Sequence, residues 1–514
     1  MTRQEQLSVW VLGNQLLAEH PAIIQANNQT SKDRIVIVLI ESQQVTQRLP
    51  YHRQKLVLMF SAMRHYAERL RLQGYTVDYI QADTFTAGLK QHLKTHNPAT
   101  MLTMAATDYA GRAFQQDKLS DLLGISVEVL PNQQFLIHEY NPYPEPEPDK
   151  RYVMESFYRQ MRKHFDVLMD DANSPTGGEW NYDKQNRKSL PADVDLPAMP
   201  QFELDDITQQ VINEVAEMDG PVGNIDNFYY AVTHEQANAA FGAFIQHRLH
   251  DFGPYEDAMT ERGGWLFHSV LSPYLNIGLL EPMPLILAAE RAYHEGRAPI
   301  NSVEGFIRQV FGWREFMYWQ YWRQMPDLAE ANHWDAIRPM PQMFWDGETE
   351  MNCIRQVVKR LQETAYSHHI ERLMLVSNFC LMAGIDPQAV TDWFKVFYID
   401  AYDWVMQPNV VGMGLNADGG IIATKPYIAS ANYINKMSDY CKGCRFNRKQ
   451  RHGEGACPFN YLYWNFLLEN EDALRANPRS GRNVLGLRHL DDNDRQQVRQ
   501  SAQIFLDELA YYHD

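Results

Sequence analysis

Short apolar runs alternate with helical patterns along the first 135 residues. The runs are rich in β-branched residues and lie at Ser8–Leu12, Arg34–Ile40, Thr76–Ile80, Met101–Met104 and Ser126–Leu130. Between them, apolar positions recur with helical spacing, most clearly over Gln54–Gln73 and Thr84–Thr95. This alternation predicts an α/β domain over 1–135, with a parallel, five-stranded, Rossmann-like sheet. Such sheets bind ligands beyond the carboxyl ends of their strands, here near Gly13–Gln15 and Glu41.

The pattern changes in residues 136–228. A Pro-rich acidic run, NPYPEPEPDK, precedes a basic amphipathic stretch over Lys150–Phe165 and a segment rich in turn-forming residues. These features predict a long interdomain linker. From 229 to 514 helical periodicity dominates, at Thr233–His247, Asn301–Met325, Asn352–Gly384, Gln388–Phe397 and Asp494–Ala510. We therefore expect a large all-α C-terminal domain.

Composition restricts the class of protein. With 514 residues, 45% of them hydrophobic, the chain can bury real cores and is not a disordered protein. Its longest aliphatic run, Ile35–Ile40, is too short to cross a membrane, and the N-terminus carries no evident secretory signal. Five cysteines do not make a disulfide scaffold. We therefore expect a cytoplasmic protein with no membrane partner.

The net charge is −17, from 47 Lys and Arg against 64 Asp and Glu. A uniformly acidic surface would repel nucleic acid, because binding requires cations that face the phosphates. The cations are unevenly spread, however, and gather at Lys150–Lys163, Arg187-Lys188 and Cys441–Cys457. This distribution predicts one basic face on an otherwise negative molecule.

Cysteine spacing indicates a metal centre. Cys441 and Cys444 form a C-x2-C pair, Cys457 precedes a proline, and Cys353 lies far upstream. The two thiolates of a C-x2-C pair can converge on one metal, and two further thiolates complete a four-thiolate set. From spacing alone, an iron–sulfur cluster and a structural zinc ion are equally compatible, and both are favoured over free thiols. Cys380 lies in an apolar run and is expected in the core.

Other candidate residues have more than one interpretation. Ser269 and Ser272 flank the start of a helix before Pro273, which suits a phosphate but also an ordinary N-cap. His368 and His369 project about 100° apart on a helix, so only one faces any given pocket. Either could act as a general acid. The acids of the 400–403 segment could accept from an amide-bearing ring or cap helices.

Together these segments resemble the photolyase/cryptochrome family. HSVLSPYLNIGLL (268–280) is similar to the family's flavin-phosphate segment, and GWREF (312–316) to its W-R-E-F helix. SHHIERLMLVSNF (367–379) resembles the family helix that faces the substrate, and YIDAYDWV (398–405) takes the place of the D-x-D flavin motif. The cysteine spacing, GGEWNYDKQNRK and MSDYCKGC resemble the subfamily of iron–sulfur bacterial cryptochromes and (6-4) photolyases. The resemblance covers essentially the whole chain.

The resemblance implies several cofactor sites. FAD is expected to bind through Tyr255, Ser269, Leu271, Ser272, Trp313, Arg314, Asp400, and Asp403 or Asn409. A 4Fe-4S cluster is expected on Cys353, Cys441, Cys444 and Cys457. Trp345 and Trp393 match the family's electron-relay positions. Residues 1–135 are expected to carry an antenna chromophore, 6,7-dimethyl-8-ribityllumazine.

The resemblance also implies a reaction, the light-driven repair of (6-4) pyrimidine–pyrimidone photoproducts by a monomeric bacterial DNA lyase. UV-damaged DNA would present its lesion, flipped out of the duplex, to the flavin pocket. His369, supported by His368, would donate a proton, with Tyr427 and Tyr433 beside the lesion. The basic face would surround the pocket mouth, and the expected DNA contacts are Asp183, Lys442, Arg445, Arg448, Lys449 and Arg451.

Three positions depart from the family pattern. Leu373 stands where animal (6-4) enzymes carry a second histidine, Met406 where photolyases usually carry an asparagine, and Phe394 where relatives often carry an oxidisable tyrosine. A two-histidine mechanism of the animal layout is therefore excluded. The alternatives to (6-4) repair are repair of cyclobutane dimers, a cryptochrome-like photoreceptor without repair activity, and a zinc-stapled nucleic-acid-binding protein.

Overall fold

The computed structural model describes residues 6–148 and 150–512. The first five residues, where the sequence shows no secretory signal, lie outside the described residues, as do Asp149 of the Pro-rich run and the last two residues. None of the described helices is long and apolar enough to cross a membrane.

The N-terminal region is an α/β unit, and it contains every strand assigned in the described residues. The strands are Leu7–Trp10 (β1), Ile35–Ser42 (β2), Thr76–Ala82 (β3), Thr100–Met104 (β4) and Ser126–Leu130 (β5). The helices between them are Pro21–Gln29, Gln43–Thr46, Arg53–Leu72, Phe85–His96, Tyr109–Asp117 and Leu119–Leu123. All neighbouring strands pair in parallel, in the order β3-β2-β1-β4-β5. The predicted α/β fold is confirmed.

The two strands at the centre of the sheet explain the continuous apolar runs of the sequence. Every residue of β1 and β2 is buried, because helices cover both faces of the sheet. Leu7 of β1 pairs with Ile35 on one side and Thr100 on the other. Glu41 lies near the carboxyl end of β2, where Arg64 donates to its carboxylate at 3.0 Å.

Residues 131–230 contain more helical structure than the sequence pattern indicated. They contain the helices Met154–Phe165 and Asp206–Ala216, together with 3-10 turns at Leu136–His138 and Asp183–Gln185. The hydrophobic pattern of the sequence did not indicate the helix Asp206–Ala216. This helix packs on Arg53–Leu72, with Val211 and Val215 buried.

The C-terminal region is helical, as predicted. Its α-helices are His234–His247, Leu249–Tyr255, Ser272–Ile277, Pro282–His294, Ile300–Ile307, Glu315–Gln324, Met343–Asp346, Asn352–Thr364, His369–Glu371, Asn378–Ala383, Pro387–Phe397, Asp403–Met406, Ala431–Met437, Pro458–Glu469, Glu471–Ala476, Gly481–Val484 and Asp492–Glu508. Three π-helical segments occur at Arg308–Arg314, Arg372–Ser377 and Gln407–Gly414. The 3-10 turns Asp327–Glu330 and Leu485–His489 complete the set.

The predicted continuous helix over Asn352–Gly384 is wrong, because the chain leaves the helix after Thr364. Ala365 adopts a left-handed conformation, with a φ of 54°. The backbone N–H of Ile399 donates to the Ala365 carbonyl at 2.9 Å and holds the break in place. Helical structure resumes at His369. The break therefore sets the direction in which the two adjacent histidines project.

The two regions meet through close backbone contacts. Gly278 ends the helix Ser272–Ile277 with a φ of 83°, and a Cβ there would stand 3.0 Å from the backbone nitrogen of Leu16. The Leu16 N–H donates to the Ile277 carbonyl at 2.8 Å. A glycine at this position therefore permits the α/β unit to dock on the helical region.

Candidate functional site

A cavity of about 770 Å³ opens into the helical region. Its size falls within the range of about 300–1,000 Å³ that is typical of ligand pockets. Its walls include seven predicted cofactor residues and four predicted lesion or DNA residues: Ser269, Leu271, Ser272, Trp313, Arg314, Asp400 and Asn409, with His369, Tyr427, Tyr433 and Asp183. We call this space the large cavity.

All three π-helical segments line the large cavity. Arg308, Trp313 and Arg314 reach it from the first segment, Arg372 from the second and Asn409 from the third. A π-bulge adds a residue to a helical turn and re-aims the side chains that follow, and such bulges are frequent at functional sites. The sequence analysis missed all three segments.

A buried ion pair occupies one wall of the large cavity. Arg372 donates to both carboxylate oxygens of Asp400, at 2.9 and 3.1 Å, and the Ser272 hydroxyl donates to the same carboxylate at 2.6 Å. Burial alone would raise the pKa of Asp400, but Arg372 and Ser272 outweigh it and hold the pKa below its usual value. The wall therefore presents a fixed carboxylate and a fixed guanidinium.

The two adjacent histidines have different surroundings. His369 is exposed on the wall of the large cavity. The surrounding protein, together with Arg372, lowers its pKa to about 4. His368 lies outside the cavity, fully buried, and stacks on His268 with ring centroids 4.4 Å apart. Glu371 Oε1 stands 3.8 Å from His368 Nε2.

Cations and acids share the accessible rim of the large cavity. Among the cations that line the cavity, Arg187 and Arg479 are exposed and Lys425 is half-buried without an ion-pair partner among the described residues, and we call these three the rim cations. Arg187 approaches Asp183 at 3.7 Å. Burial, opposed by Arg308, raises the pKa of the neighbouring Glu256 to about 8, so this carboxyl group is mainly neutral at pH 7. At pH 7 the rim therefore carries less negative charge than its number of Asp and Glu residues indicates.

Two predicted cofactor residues do not line the large cavity. Tyr255 packs against Phe267, with ring centroids 5.5 Å apart. Asp403 points elsewhere, because its carboxylate accepts from the Tyr321 hydroxyl at 2.7 Å and pairs with Lys395 at 2.8 Å. Of the two alternatives that the sequence offered, Asp403 does not line the large cavity, whereas Asn409 does, together with Met406.

The predicted relay tryptophans lie behind the cavity wall. Phe394 lines the large cavity, and its ring centroid is 5.3 Å from that of Trp393. The ring of Phe397 bridges the two tryptophans, at 5.1 Å from Trp393 and 5.6 Å from Trp345. Trp345 then stacks on Tyr512 at 4.0 Å. These aromatic rings form a continuous path that leads away from the cavity.

A second, small cavity brings the four predicted ligand cysteines together. Cys353, Cys441, Cys444 and Cys457 all line it, whereas Cys380 is buried elsewhere. The helix Asn352–Thr364 and the loop 441–457 therefore bring four thiols to one site, where a metal centre could bind.

One helix separates the two cavities. On Ala431–Met437, which we call the dividing helix, Tyr433 lines the large cavity, whereas Ala431 and Ile434 line the cysteine cavity. Besides the dividing helix, Tyr440 also connects the two cavities, because it lines the cysteine cavity next to Cys441. Its hydroxyl donates to Glu371 Oε1 at 2.5 Å.

The basic loop around the cysteines does not reach the large cavity. Its five predicted DNA contacts are absent from the described lining residues of that cavity. Arg445 pairs with Glu350, and Arg451 pairs with Asp494 at 3.2 Å, while Arg448 lines the cysteine cavity. The basic amphipathic stretch contributes a buried arginine, Arg162, which donates to backbone carbonyls. Nothing in the sequence indicated that the rim cations Lys425 and Arg479 lie near the cavity, because the segments that carry them are far apart in the chain and meet only in the fold.

This chain is similar to known proteins in sequence and in fold. A family model described as "Deoxyribodipyrimidine photo-lyase-related protein" matches residues 9–230. A (6-4) photolyase from Agrobacterium fabrum is 41% identical over 508 residues, which cover 98% of this chain and 99% of that protein.

Two solved structures resemble the whole chain. A bacterial class III photolyase from Agrobacterium tumefaciens superposes with a TM-score of 0.56 and covers 99% of both chains. A cryptochrome from Synechocystis sp. PCC6803 superposes with a TM-score of 0.58 over 97% of this chain and 95% of that chain. At 15% identity, these likenesses show the fold alone. The similarity to the (6-4) photolyase extends over nearly the full length of both sequences, and the chain therefore belongs to the photolyase/cryptochrome family.

Proposed function

We propose that this chain is a DNA lyase that repairs (6-4) pyrimidine photoproducts with light, using FAD bound in the large cavity. The main support is that a (6-4) photolyase matches the chain along almost its entire length. Family members generally bind FAD, and photolyases act on UV-damaged DNA. The geometry adds support, because His369 opens onto the same cavity as the Asp400–Arg372 pair.

The residues of this cavity fit a large, polar, planar cofactor. Ser269 and Ser272 offer hydroxyl groups, and the Asp400–Arg372 pair offers a donor and an acceptor at fixed positions. When bound, reduced and excited by light, FAD supplies the electron that initiates repair. From the 398–409 segment, Asn409 and Met406 would border the cofactor together with Asp400, whereas Asp403 would not.

We assign the proton donation to His369, on the accessible wall of the cavity. Its lowered pKa favours the neutral imidazole. A negatively charged lesion and cofactor would favour the protonated form, because opposite charges raise the pKa of a histidine. Tyr427 and Tyr433 would hold the flipped base beside it, and the rim cations would contact the flanking phosphates. His368 would act only through its packing.

We also propose that the cysteine cavity holds a 4Fe-4S cluster. The four cysteines line one small cavity, which supports a metal centre there, and the resemblance of their spacing to the iron–sulfur subfamily favours the cluster over a zinc ion. Its role would be structural, because it would tie the helix Asn352–Thr364, which carries Cys353, to the loop from Cys441 to Cys457. Trp393 and Trp345 would carry electrons between the cofactor and the surface, along the path of aromatic rings.

The proposal extends to domain boundaries and an antenna. We place the α/β antenna domain at 1–135, the linker at 136–228 and the catalytic domain at 229–514. A lumazine, 6,7-dimethyl-8-ribityllumazine, would bind at the carboxyl ends of the strands. Glu41 supports this location, because Arg64 and Gln81 donate to it there and make the crevice polar.

Illumination of the purified protein with damaged oligonucleotides tests the proposal. Separate substrates carry one (6-4) photoproduct or one cyclobutane dimer, and dark samples serve as controls. We expect blue light to restore the bases of the (6-4) substrate and to leave the dimer intact. Repair of the dimer alone would move the assignment to the other lesion. No repair of either lesion, with a flavin that still photoreduces, would favour a photoreceptor.

A further inference from the structure

Two histidines and an aspartate meet on the α/β unit. Asp78 Oδ2 stands 2.7 Å from His92 Nδ1 and 3.4 Å from His96 Nε2. One potential ligand atom from each residue lies within 4.8 Å of the others. None of these residues lines the large cavity or the cysteine cavity.

The local sequence explains why the three side chains converge. His92 and His96 are four residues apart on the helix Phe85–His96, so they share one face and their ring centroids lie 4.8 Å apart. Asp78 is on β3, against which this helix packs. Asn97 ends the helix in a left-handed conformation directly after His96. The partial negative charge of a helix C-terminus favours a cation at this place.

A fourth residue orients the buried histidine. The hydroxyl of Ser8, on β1, lies 2.7 Å from His92 Nε2, and both side chains are buried. This contact fixes the ring so that Nδ1 faces Asp78. Metal-binding histidines commonly have such a hydrogen bond on the second ring nitrogen. Asp78 and His96 remain 23% and 18% exposed, which leaves an approach from solvent.

Asp78 Oδ2 lies between two imidazole nitrogens, and all three atoms carry lone pairs that can accept. They can approach this closely only if the nitrogens carry N–H groups that donate to the carboxylate, or if one cation binds all three atoms. Neutral imidazole is the form that binds metals.

We propose that Asp78, His92 and His96 form a site for a divalent transition-metal ion such as zinc, with water in the remaining position. Two imidazoles and one carboxylate are a donor set that suits zinc. Ser8 and Asp78 lie near the amino ends of their strands, opposite the edge where Glu41 lies. The site is therefore distinct from the antenna crevice, and it does not depend on the proposed repair activity.

Calorimetric titration of the untagged, full-length protein with ZnCl2 tests the site. We expect the wild type to bind one more zinc ion, at micromolar or lower concentration, than His96→Ala and Asp78→Asn. His247→Ala, which alters an exposed histidine at the end of another helix, should match the wild type. Equal stoichiometry in all four proteins would overturn the proposal.

Crystals of the wild type soaked in ZnCl2 provide a test without substitutions. The proposal predicts an anomalous zinc peak at about 2.0–2.2 Å from one atom of each of Asp78, His92 and His96. Absence of the peak, or a peak that touches only one of the three residues, would overturn it.

Discussion

The two cavities on either side of the dividing helix are built in opposite ways. The large cavity draws its walls from many distant segments and holds fixed charges next to an accessible rim. The cysteine cavity is small, and four cysteine thiols are its candidate ligand groups. An open, charged space suits molecules that enter and leave, whereas a closed set of thiolates suits a permanent group.

The contacts between the cavities show that neither is independent. Tyr440 and Arg360 both donate to Glu371, which belongs to the short helix that carries His369. The conformation of the cysteine loop can therefore influence the position of the histidine wall. We expect damage to the cysteine cavity to affect both sites, and damage to the large cavity to remain local.

The largest expected effect comes from removing one ligand of the cysteine cavity. Cys441→Ala should lose nearly all iron and destabilise the loop to Cys457, because a structural metal centre contributes directly to folding. Iron analysis and the absorption spectrum measure the loss. Cys380→Ala provides the matched control, since this buried cysteine lines neither cavity and should retain the iron. If both variants contain the same amount of iron, Cys441 is not a ligand of the metal centre.

Substitution of the cavity histidine should damage chemistry without damaging either cofactor. His369→Ala should slow (6-4) repair by about 10²–10⁴-fold, the usual contribution of a positioned general acid. Flavin and iron contents should stay unchanged. His250→Ala, which alters a histidine that is 69% exposed on another helix, serves as the control. A His369→Ala enzyme with the wild-type repair rate would refute the proton-donor role.

Removing the hydroxyl that links the cavities should have a smaller effect. Tyr440→Phe should lower the free energy of unfolding by about 1–2 kcal/mol, because the buried Glu371 carboxylate loses a donor but keeps Arg360. Urea denaturation measures the change. Tyr463→Phe, on the helix Pro458–Glu469, should change it by less than about 0.5 kcal/mol. If both variants have the same free energy of unfolding, the hydrogen bond from Tyr440 to Glu371 does not contribute to stability.

The smallest expected effect is a pH dependence at the rim. Glu256 is neutral below its pKa of about 8 and negative above it, so it repels DNA phosphates only at higher pH. Affinity for damaged DNA should therefore fall about 2- to 5-fold more between pH 7 and 9 in the wild type than in Glu256→Gln. Fluorescence anisotropy at constant ionic strength measures it. Parallel pH profiles would show that Glu256 does not face the DNA.

The sequence predicted the features that depend on local patterns. The apolar runs located the five strands of the described residues, because the inner strands are buried and almost continuously apolar, while the edge strands β3 and β5 still carry apolar residues between polar ones. The cysteine constellation was visible because three of its members are close in sequence. Burial of Cys380 followed from its apolar neighbours.

The remaining features depend on distant contacts. The break at Ala365 is held by Ile399, and the direction of Asp403 is fixed by Tyr321 and Lys395. A π-helical segment shifts the hydrogen bonds of a helix by one residue over a single turn, and the periodicity of apolar positions does not reveal so local a change. The helix Asp206–Ala216 has only a narrow apolar stripe, which its turn-rich surroundings concealed.

Cofactor analysis of the native protein tests the two-cavity account most directly. The account predicts one FAD, four iron atoms and four acid-labile sulfides per chain, and no iron in Cys441→Ala. A protein with zinc in place of iron, or without flavin, would contradict it.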